Sequence, residues 1–194
     1  MMVFQNPNQS RNQRPVRRSM RADSGASLLE VLIAIVIMSF GLLALAGMTT
    51  AGLQYSKMAQ FQTIGVQLAL DISDRMRANS EGFKLASAPY DKTTVYSSST
   101  AAITAPVCVD ADKCTPAEVA GIDLAEWRNS LRQSIPGGDA FVQRDTANPA
   151  GVDIWIMWTD VGLATGLSTN AACPTAAVAN GSSAPRCLYF RAVI

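Results

Sequence analysis

Apolar residues are concentrated in one long stretch near the start of the chain. Residues 28–48 read LLEVLIAIVIMSFGLLALAGM, which is 21 residues with a single charge, at Glu30. At the 1.5 Å rise of an α-helix, about 20 apolar residues span the hydrocarbon core of a bilayer. The pattern therefore predicts a helix that crosses a membrane.

The helical pattern continues beyond this stretch and becomes amphipathic. No proline occurs between Val16 and Ala88, and after Gly52 apolar residues recur at helical spacing while polar residues fall on the other faces. We predict one helix from about Ala26 to about Arg77, roughly 75 Å long. Its apolar first half should project from a globular domain, and its second half should pack on that domain. The apolar positions of the second half are Phe61, Ile64, Leu68, Ile72 and Met76.

The middle of the chain predicts an irregular connection followed by helices. Residues 79–107 are rich in Ser, Thr and Ala, which indicates a loop with one short strand within it. Thr115, a following proline and Glu118 have the spacing of a helix start. Asp123 and Glu126 repeat that spacing and predict a further helix, which Pro-Gly-Gly ends at 136–138. The apolar stripe of this helix is Leu124, Trp127, Leu131 and Ile135.

Three short strands are predicted in the last third of the chain, at 140–144, 152–158 and 188–193. Alternation along the second strand places Trp158 on a buried face and Trp155 on the opposite face, which is the better surface candidate. Short, turn-rich links between the first two strands favour antiparallel pairing. The predicted fold class is α+β, with a long N-terminal helix packed on a small antiparallel sheet.

Charge is distributed as unevenly as hydrophobicity. Five arginines against the single acid Asp23 give residues 1–25 a charge of +4, which leaves −3 for the rest of a chain whose net charge is +1. Arginines before an apolar stretch place that side in the cytoplasm, so the body is predicted to be exported. A mildly acidic body gives no reason to expect specific nucleic-acid binding.

The residue types exclude most catalytic and metal chemistry. The chain contains no histidine, which removes Ser-His-Asp and Cys-His catalysis and the commonest metal ligand. No CxxC pair is present, and Asp153 and Asp160 lack a calcium-ligand loop, so we expect them to be solvated or to cap turns. We therefore expect no catalytic residue, no cofactor and no metal.

The cysteines indicate disulfides in an oxidising compartment. There are four of them, an even number, in a chain whose body is predicted to be exported. The sequential pairing, Cys108 with Cys114 and Cys173 with Cys187, is favoured because each pair would close a short segment. The other two connectivities stay open, and peptide mass mapping without reduction would distinguish them.

The segment before the apolar stretch carries the most specific motif. An ordinary signal peptide has its small-residue cleavage site after the apolar stretch, whereas here the junction Gly25-Ala26 comes before it. Cleavage there would remove a basic leader and leave the membrane helix on the mature protein. The presence of Glu30 in the apolar stretch also requires an explanation, because inserting a carboxylate at membrane depth costs about 2.5–3.5 kcal/mol on insertion scales.

GASLLEVL at 25–32, followed by the apolar run, resembles the signal of type IV pilins and type II secretion pseudopilins. The resemblance implies a pilin fold, cleavage after Gly25 by a prepilin peptidase, and methylation of the new amino group of Ala26. It also implies that Glu30 neutralises the N-terminal amine of an adjacent subunit. Ala26 stands where most of the family has phenylalanine. The implied domains are a leader at 1–25, a membrane and filament-core helix at 26–52, and a globular domain at 53–194.

The body is similar to the PilV type of minor pilin, the type IV pilus modification protein. The similarity rests on the helix pattern at 123–138 and on VDIWIMWTD at 152–160. It implies a non-enzymatic subunit that helps to start pilus assembly, and its position at the filament tip or along the shaft stays open. Its implied partners are other minor and major pilins, the prepilin peptidase and the inner-membrane assembly platform, with motility and adhesion as consequences. It would first lie in the inner membrane with a periplasmic body, and then in the surface pilus.

Other interpretations of the sequence stay open. A minor pseudopilin of a type II secretion system would share the signal and the helix, and genomic neighbours would distinguish the two. A membrane-anchored periplasmic enzyme and a tip adhesin or DNA-binding subunit are weaker alternatives. Translation from Met20 would shorten the leader to six residues, which N-terminal sequencing of uncleaved precursor would test.

Overall fold

A computed structural model describes residues 27–110, 113–159, 173–178 and 185–194. It is an α+β structure with a long N-terminal helix and a small antiparallel sheet, as the sequence predicts. The chain divides into two units between Ala46 and Gly47. In chain order the elements are α1 (Leu28–Ala78), α2 (Ser80–Lys84), α3 (Pro116–Ser134), β1 (Asp139–Arg144), β2 (Gly151–Trp158), a 3-10 turn (Thr175–Ala177) and β3 (Arg186–Val193).

Helix α1 is continuous over 51 residues, and its second half has the buried stripe that the periodicity predicts. Ile72 and Met76 are fully buried, and the earlier apolar positions of the stripe pack against the same core. Gly65 marks a close approach to β3, since a Cβ atom there would lie 2.9 Å from Cδ2 of Leu188. The absence of a side chain at this position lets the helix lie directly on the sheet.

The strands form one antiparallel sheet in the order β1-β2-β3. Alternation along β2 puts Val152, Ile154, Ile156 and Trp158 on the face that packs against α1 and α3. Trp155 lies on the opposite face and is partly exposed, as predicted. The core also holds Trp127, which is fully buried and whose indole N–H donates to the carbonyl of Leu68 at 2.8 Å.

Helix α3 is one helix, so the further start predicted at Asp123 is wrong. Thr115 and Glu118 form the capping box, with Thr115 N–H to Glu118 Oε2 at 2.7 Å and Glu118 N–H to Thr115 Oγ1 at 3.3 Å. Asp123 lies in the helix interior, and its carboxylate binds Arg75 at 3.3 Å and the hydroxyl of Tyr90 at 2.7 Å. A cap-like spacing does not begin a helix where the acid has tertiary partners.

The connection between α1 and α3 contains a short helix that the sequence pattern did not predict. Asn79 caps α2 by accepting from Gly82 N–H at 3.2 Å. Farther along, Lys92 pairs with Val142 as an isolated antiparallel bridge at the outer edge of β1. The Asn129 side chain accepts from the N–H of Ile103 and donates to its carbonyl, both at 2.8 Å. These side chains hold an otherwise irregular segment on the domain.

Tyr90 supplies a pH-dependent contribution to stability. Burial, together with the hydrogen bond to Asp123, raises the pKa of Tyr90, and Arg75 and Asn79 are its other polar neighbours. The protonated phenol is favoured in the folded state, so this contribution is complete below pH ~10 and is lost as the pH rises above ~10.

Tyr90→Phe is expected to lower the free energy of unfolding by about 1.5–3 kcal/mol at pH 7, because it removes a hydrogen bond to a charged group. The difference between wild type and variant should shrink above pH ~10, by up to about 1.4 kcal/mol per pH unit. Urea unfolding of both chains from pH 7 to 11 measures it. The pH dependence that the other tyrosines contribute cancels in this difference, because wild type and variant both contain them. A difference in unfolding free energy that stays constant with pH would contradict the raised pKa of Tyr90.

Both disulfides are formed in the sequential pairing. Cys108 is bonded to Cys114 with a Cα–Cα distance of 5.1 Å, and Cys173 is bonded to Cys187 at 5.2 Å. The first closes a loop whose Val109 N–H donates to Glu118 at 2.8 Å, next to the capping box of α3. The second ties the segment at 173–178 to β3.

Candidate functional site

The N-terminus of α1 lies immediately after the junction that the sequence predicts to be cleaved. Ser27 precedes the helix, and its carbonyl accepts from the N–H groups of Glu30 at 2.8 Å and Val31 at 3.2 Å. Its hydroxyl accepts from the N–H of Leu29 at 3.3 Å. The helix thus begins with a serine cap. Gly25 and Ala26, the predicted cleavage and methylation residues, lie outside the described residues.

Glu30 lies in the first turn of α1 and is exposed. A carboxylate in the first turn is favoured by the helix dipole, which places partial positive charge there. Within the described part of the chain, the Glu30 side chain has no hydrogen bond or ion pair. The nearest residues of its own helix are apolar.

The apolar half of α1 is exposed to solvent in the part of the chain that the structure describes. Every residue from Leu28 to Tyr55 is exposed. By length and composition, α1 is the one helix among the described residues that could cross a membrane. The single-charge pattern and the exposure together suggest membrane anchoring. Polar atoms inside this half are satisfied locally, as in Ser39, whose hydroxyl donates to the carbonyl of Ile35 at 2.7 Å.

Three glycines in α1 have no packing neighbour among the residues that the structure describes. A Cβ atom at Gly41, Gly47 or Gly52 would meet no atom within 4 Å. Each glycine still lowers helix propensity by about 1 kcal/mol relative to alanine. The helix is nevertheless unbroken through all three.

The globular domain contains a buried charge cluster that the sequence pattern did not reveal. The Nζ atom of Lys92 lies 2.8 Å from Oδ2 of Asp139, and their side chains are only 5% and 1% exposed. Arg128 approaches the same carboxylate at 3.4 Å, and the N–H of Ser97 donates to it at 3.1 Å. Burial lowers the pKa of Lys92, and Asp139 opposes that shift. No local signal predicts this pairing, because 47 residues separate the two partners.

Metal binding has no candidate centre in the part of the chain that is described. No group of three acidic or cysteine side chains is placed to hold an ion there. Asp153 instead accepts from the Tyr189 hydroxyl at 2.7 Å and lies 3.5 Å from Arg191. Asp160 lies outside the described residues.

The N-terminal segment of the chain is similar to a known family of sequences. Residues 20–46 match the family model described as the prokaryotic N-terminal methylation motif. This range includes Gly25, Ala26 and Glu30. No curated protein and no solved structure matches the chain. The match, joined to the apolar N-terminal helix, supports a protein of the type IV pilin or pseudopilin type.

Proposed function

We propose that the chain is a minor pilin that takes part in starting type IV pilus assembly. One observation carries the proposal: the exposed apolar first half of α1 begins directly after the methylation-motif junction and contains a single carboxylate, Glu30, without a partner in the described part of the chain. Such a helix needs other apolar surface around it, first lipid and then the helices of other subunits. The function is structural, with no catalytic step of its own.

Processing comes first in the proposed sequence of events. The prepilin peptidase cleaves the bond between Gly25 and Ala26 and methylates the new amino group. The leader at 1–25 then leaves, and the membrane helix stays on the mature protein. Because Glu30 lies one helical turn inside that new end, its carboxylate is at the depth where the amine of a neighbouring subunit can neutralise it.

The proposed location follows from the charge pattern around the helix. The arginines before α1 keep that end in the cytoplasm, and the body lies in the periplasm. Two disulfides in the body agree with an oxidising compartment. From the inner membrane the assembly platform would move the subunit into the pilus, with other minor and major pilins as partners.

The PilV type of minor pilin remains our specific proposal. It rests on the similarity of the helix pattern at 123–138 and the strand sequence at 152–160. Placement at the pilus tip, motility and adhesion are consequences of that proposal. A minor pseudopilin of a type II secretion system has the same N-terminal motif, and deletion separates the two, since only the pilin's loss reduces pilus number while secretion stays unchanged.

The first experiment is the intact mass of the membrane-extracted chain, made with and without a prepilin peptidase. Loss of residues 1–25 only when the peptidase is present is the expected result, with an added methyl group on Ala26. Gly25→Leu should stay uncut, because a bulky side chain blocks the small-residue junction. Ser27→Ala is the matched control and should be cut normally. An uncut wild-type chain, or cleavage after the apolar run, would overturn the proposal.

A further inference from the structure

The face of the sheet that is turned away from α1 and α3 carries a row of aromatic rings across all three strands. The antiparallel register places Phe141 opposite Trp155, and Trp155 opposite Tyr189. The ring centroids of Phe141 and Trp155 are 5.6 Å apart with an edge-to-face angle of 78°. Those of Trp155 and Tyr189 are 5.1 Å apart and tilted by 40°. Neighbouring strands thus hold the three rings in contact.

Exposure increases along this row. Phe141 is 2% exposed and supports Trp155 from the edge of its ring, while Trp155 is partly exposed and Tyr189 is 44% exposed. On the side nearer the 3-10 turn, Met157 and Ala177 are fully buried. The accessible part of the row is therefore the Trp155–Tyr189 pair, held by a buried third ring.

A row of planar polar groups runs directly beside the rings. Its members, in register across the strands, are Gln143, Asp153 and Arg191. The Tyr189 hydroxyl donates to Oδ1 of Asp153 at 2.7 Å, and Arg191 contacts both Asp153 and Asp145. Gln143 is exposed, and its amide has no hydrogen bond within the described residues. An amide, a carboxylate and a guanidinium thus border the aromatic pair.

We propose that this face binds a neutral oligosaccharide. A pyranose ring has one apolar face of C–H groups, which stacks on exposed aromatic rings, and a rim of hydroxyl groups that both donate and accept hydrogen bonds. Trp155 and Tyr189 supply the stacking surface, and the planar groups of Gln143, Asp153 and Arg191 supply both kinds of partner at the rim. Most of the surface is preformed, because the ring contacts and the ion pairs already fix Trp155, Tyr189, Asp153 and Arg191, while the Gln143 amide is available to a ligand.

Size distinguishes a sugar from a protein partner. The two rows lie about 7 Å apart, and the three strands span about 10 Å, so with side chains the patch covers on the order of 200 Å². A standard protein interface buries about 800 Å² on each partner. The patch is too small for such an interface and large enough for one or two sugar rings.

The charge of this face disfavours single-stranded nucleic acid, which also stacks on aromatic rings. Single-stranded nucleic acid binds where a positively charged groove follows its backbone. Here the two carboxylates of Asp145 and Asp153 outnumber the one guanidinium of Arg191, and both lie against it. A neutral ligand meets no such repulsion. The inference is independent of the proposed role in assembly, and failure of either leaves the other in place.

Tryptophan fluorescence provides a selective readout on the full-length chain. Trp127 is fully buried and Trp158 is 3% exposed, so Trp155 is the tryptophan that a ligand reaches on this face. The chain is held in a zwitterionic detergent, because glycoside detergents would compete. Three neutral sugars, cellotetraose, maltotetraose and tetra-N-acetylchitotetraose, are titrated up to millimolar concentrations. At least one should give a saturable change in emission and in acrylamide quenching.

Variants then test the site residue by residue, with binding followed by isothermal calorimetry where Trp155 is changed. Trp155→Leu and Gln143→Ala should each weaken binding about tenfold or more, and Gln143→Ala removes no contact that the fold needs. Tyr55→Ala, which removes another exposed tyrosine, is the matched control and should bind as wild type does. No saturable response from any of the three sugars would overturn the proposal. Equal binding by the Gln143 and Tyr55 variants, or crosslinking of position 143 to another pilin in assembled pili, would also overturn it.

Discussion

Asp139→Ala is expected to lower the free energy of unfolding by about 3–5 kcal/mol. The substitution leaves Lys92, which is 5% exposed, without the carboxylate 2.8 Å from its Nζ atom. A buried charge that loses its partner keeps the full cost of desolvation. The N–H of Ser97 loses its acceptor as well, which adds to the loss. Urea unfolding at pH 7, followed by tryptophan fluorescence, measures the effect.

A second variant distinguishes the ion pair from general packing. Replacing both partners, in Lys92→Met with Asp139→Leu, should restore at least half of the lost stability, because the buried ammonium is then gone and Arg128, whose side chain is 21% exposed, keeps contact with water. Asp74→Ala is the surface control. Its carboxylate contacts Arg77 at 2.7 Å, but the two side chains are 73% and 49% exposed. We expect that change to cost less than about 1 kcal/mol. A cost as small as this for Asp139→Ala would contradict the role of the buried pair.

Glu30→Leu is expected to leave the subunit in the membrane and to reduce its incorporation into pili about a hundredfold. Removing the carboxylate lowers the insertion cost by about 2.5–3.5 kcal/mol, so the membrane level should stay the same or rise. In the filament that we propose, the same change would leave the neighbour's amine unpaired among apolar helices, at a cost of about 3–5 kcal/mol. Quantitative immunoblots of sheared pili and of membranes measure the two amounts.

Ser39→Ala provides the matched control within the same apolar segment. The Ser39 hydroxyl donates to a carbonyl of its own helix at 2.7 Å and carries no charge, so we expect its removal to leave contacts between subunits intact. Incorporation of this variant should equal that of wild type. A Glu30→Leu chain that enters pili as efficiently as the Ser39 variant would show that the carboxylate has no role in subunit contacts.

The sequence pattern predicts the elements better than it predicts their partners. The long helix, the three strands, their antiparallel pairing and the burial of Trp127 and Trp158 are all confirmed. Each depends on local periodicity, which repeats over enough residues to be unambiguous. The further helix at Asp123 is wrong, and α2 is missed, because a single cap or a five-residue helix is a short signal that tertiary contacts can override.

Among the candidate functional residues, too, a local pattern reveals single residues but not their partners. Glu30 stands out in the sequence, since one charge in an apolar run is conspicuous by itself. Asp139 and Lys92 do not stand out, and neither does the polar row beside Trp155, because their members come from separate segments. Gly65 likewise has a packing role only because Leu188 lies against it.

By itself, the sequence determined that α1 begins at the methylation motif, that its first half is apolar on every side, and that the body is a helix-and-sheet domain. Hydrophobic periodicity and charge placement act along the chain, so they can be read without coordinates. Only the tertiary structure decided which acid Lys92 pairs with, that Asp123 joins α3 to Arg75 and Tyr90, and that three rings meet across the sheet. Those contacts depend on the register and packing of distant segments, which no local pattern contains.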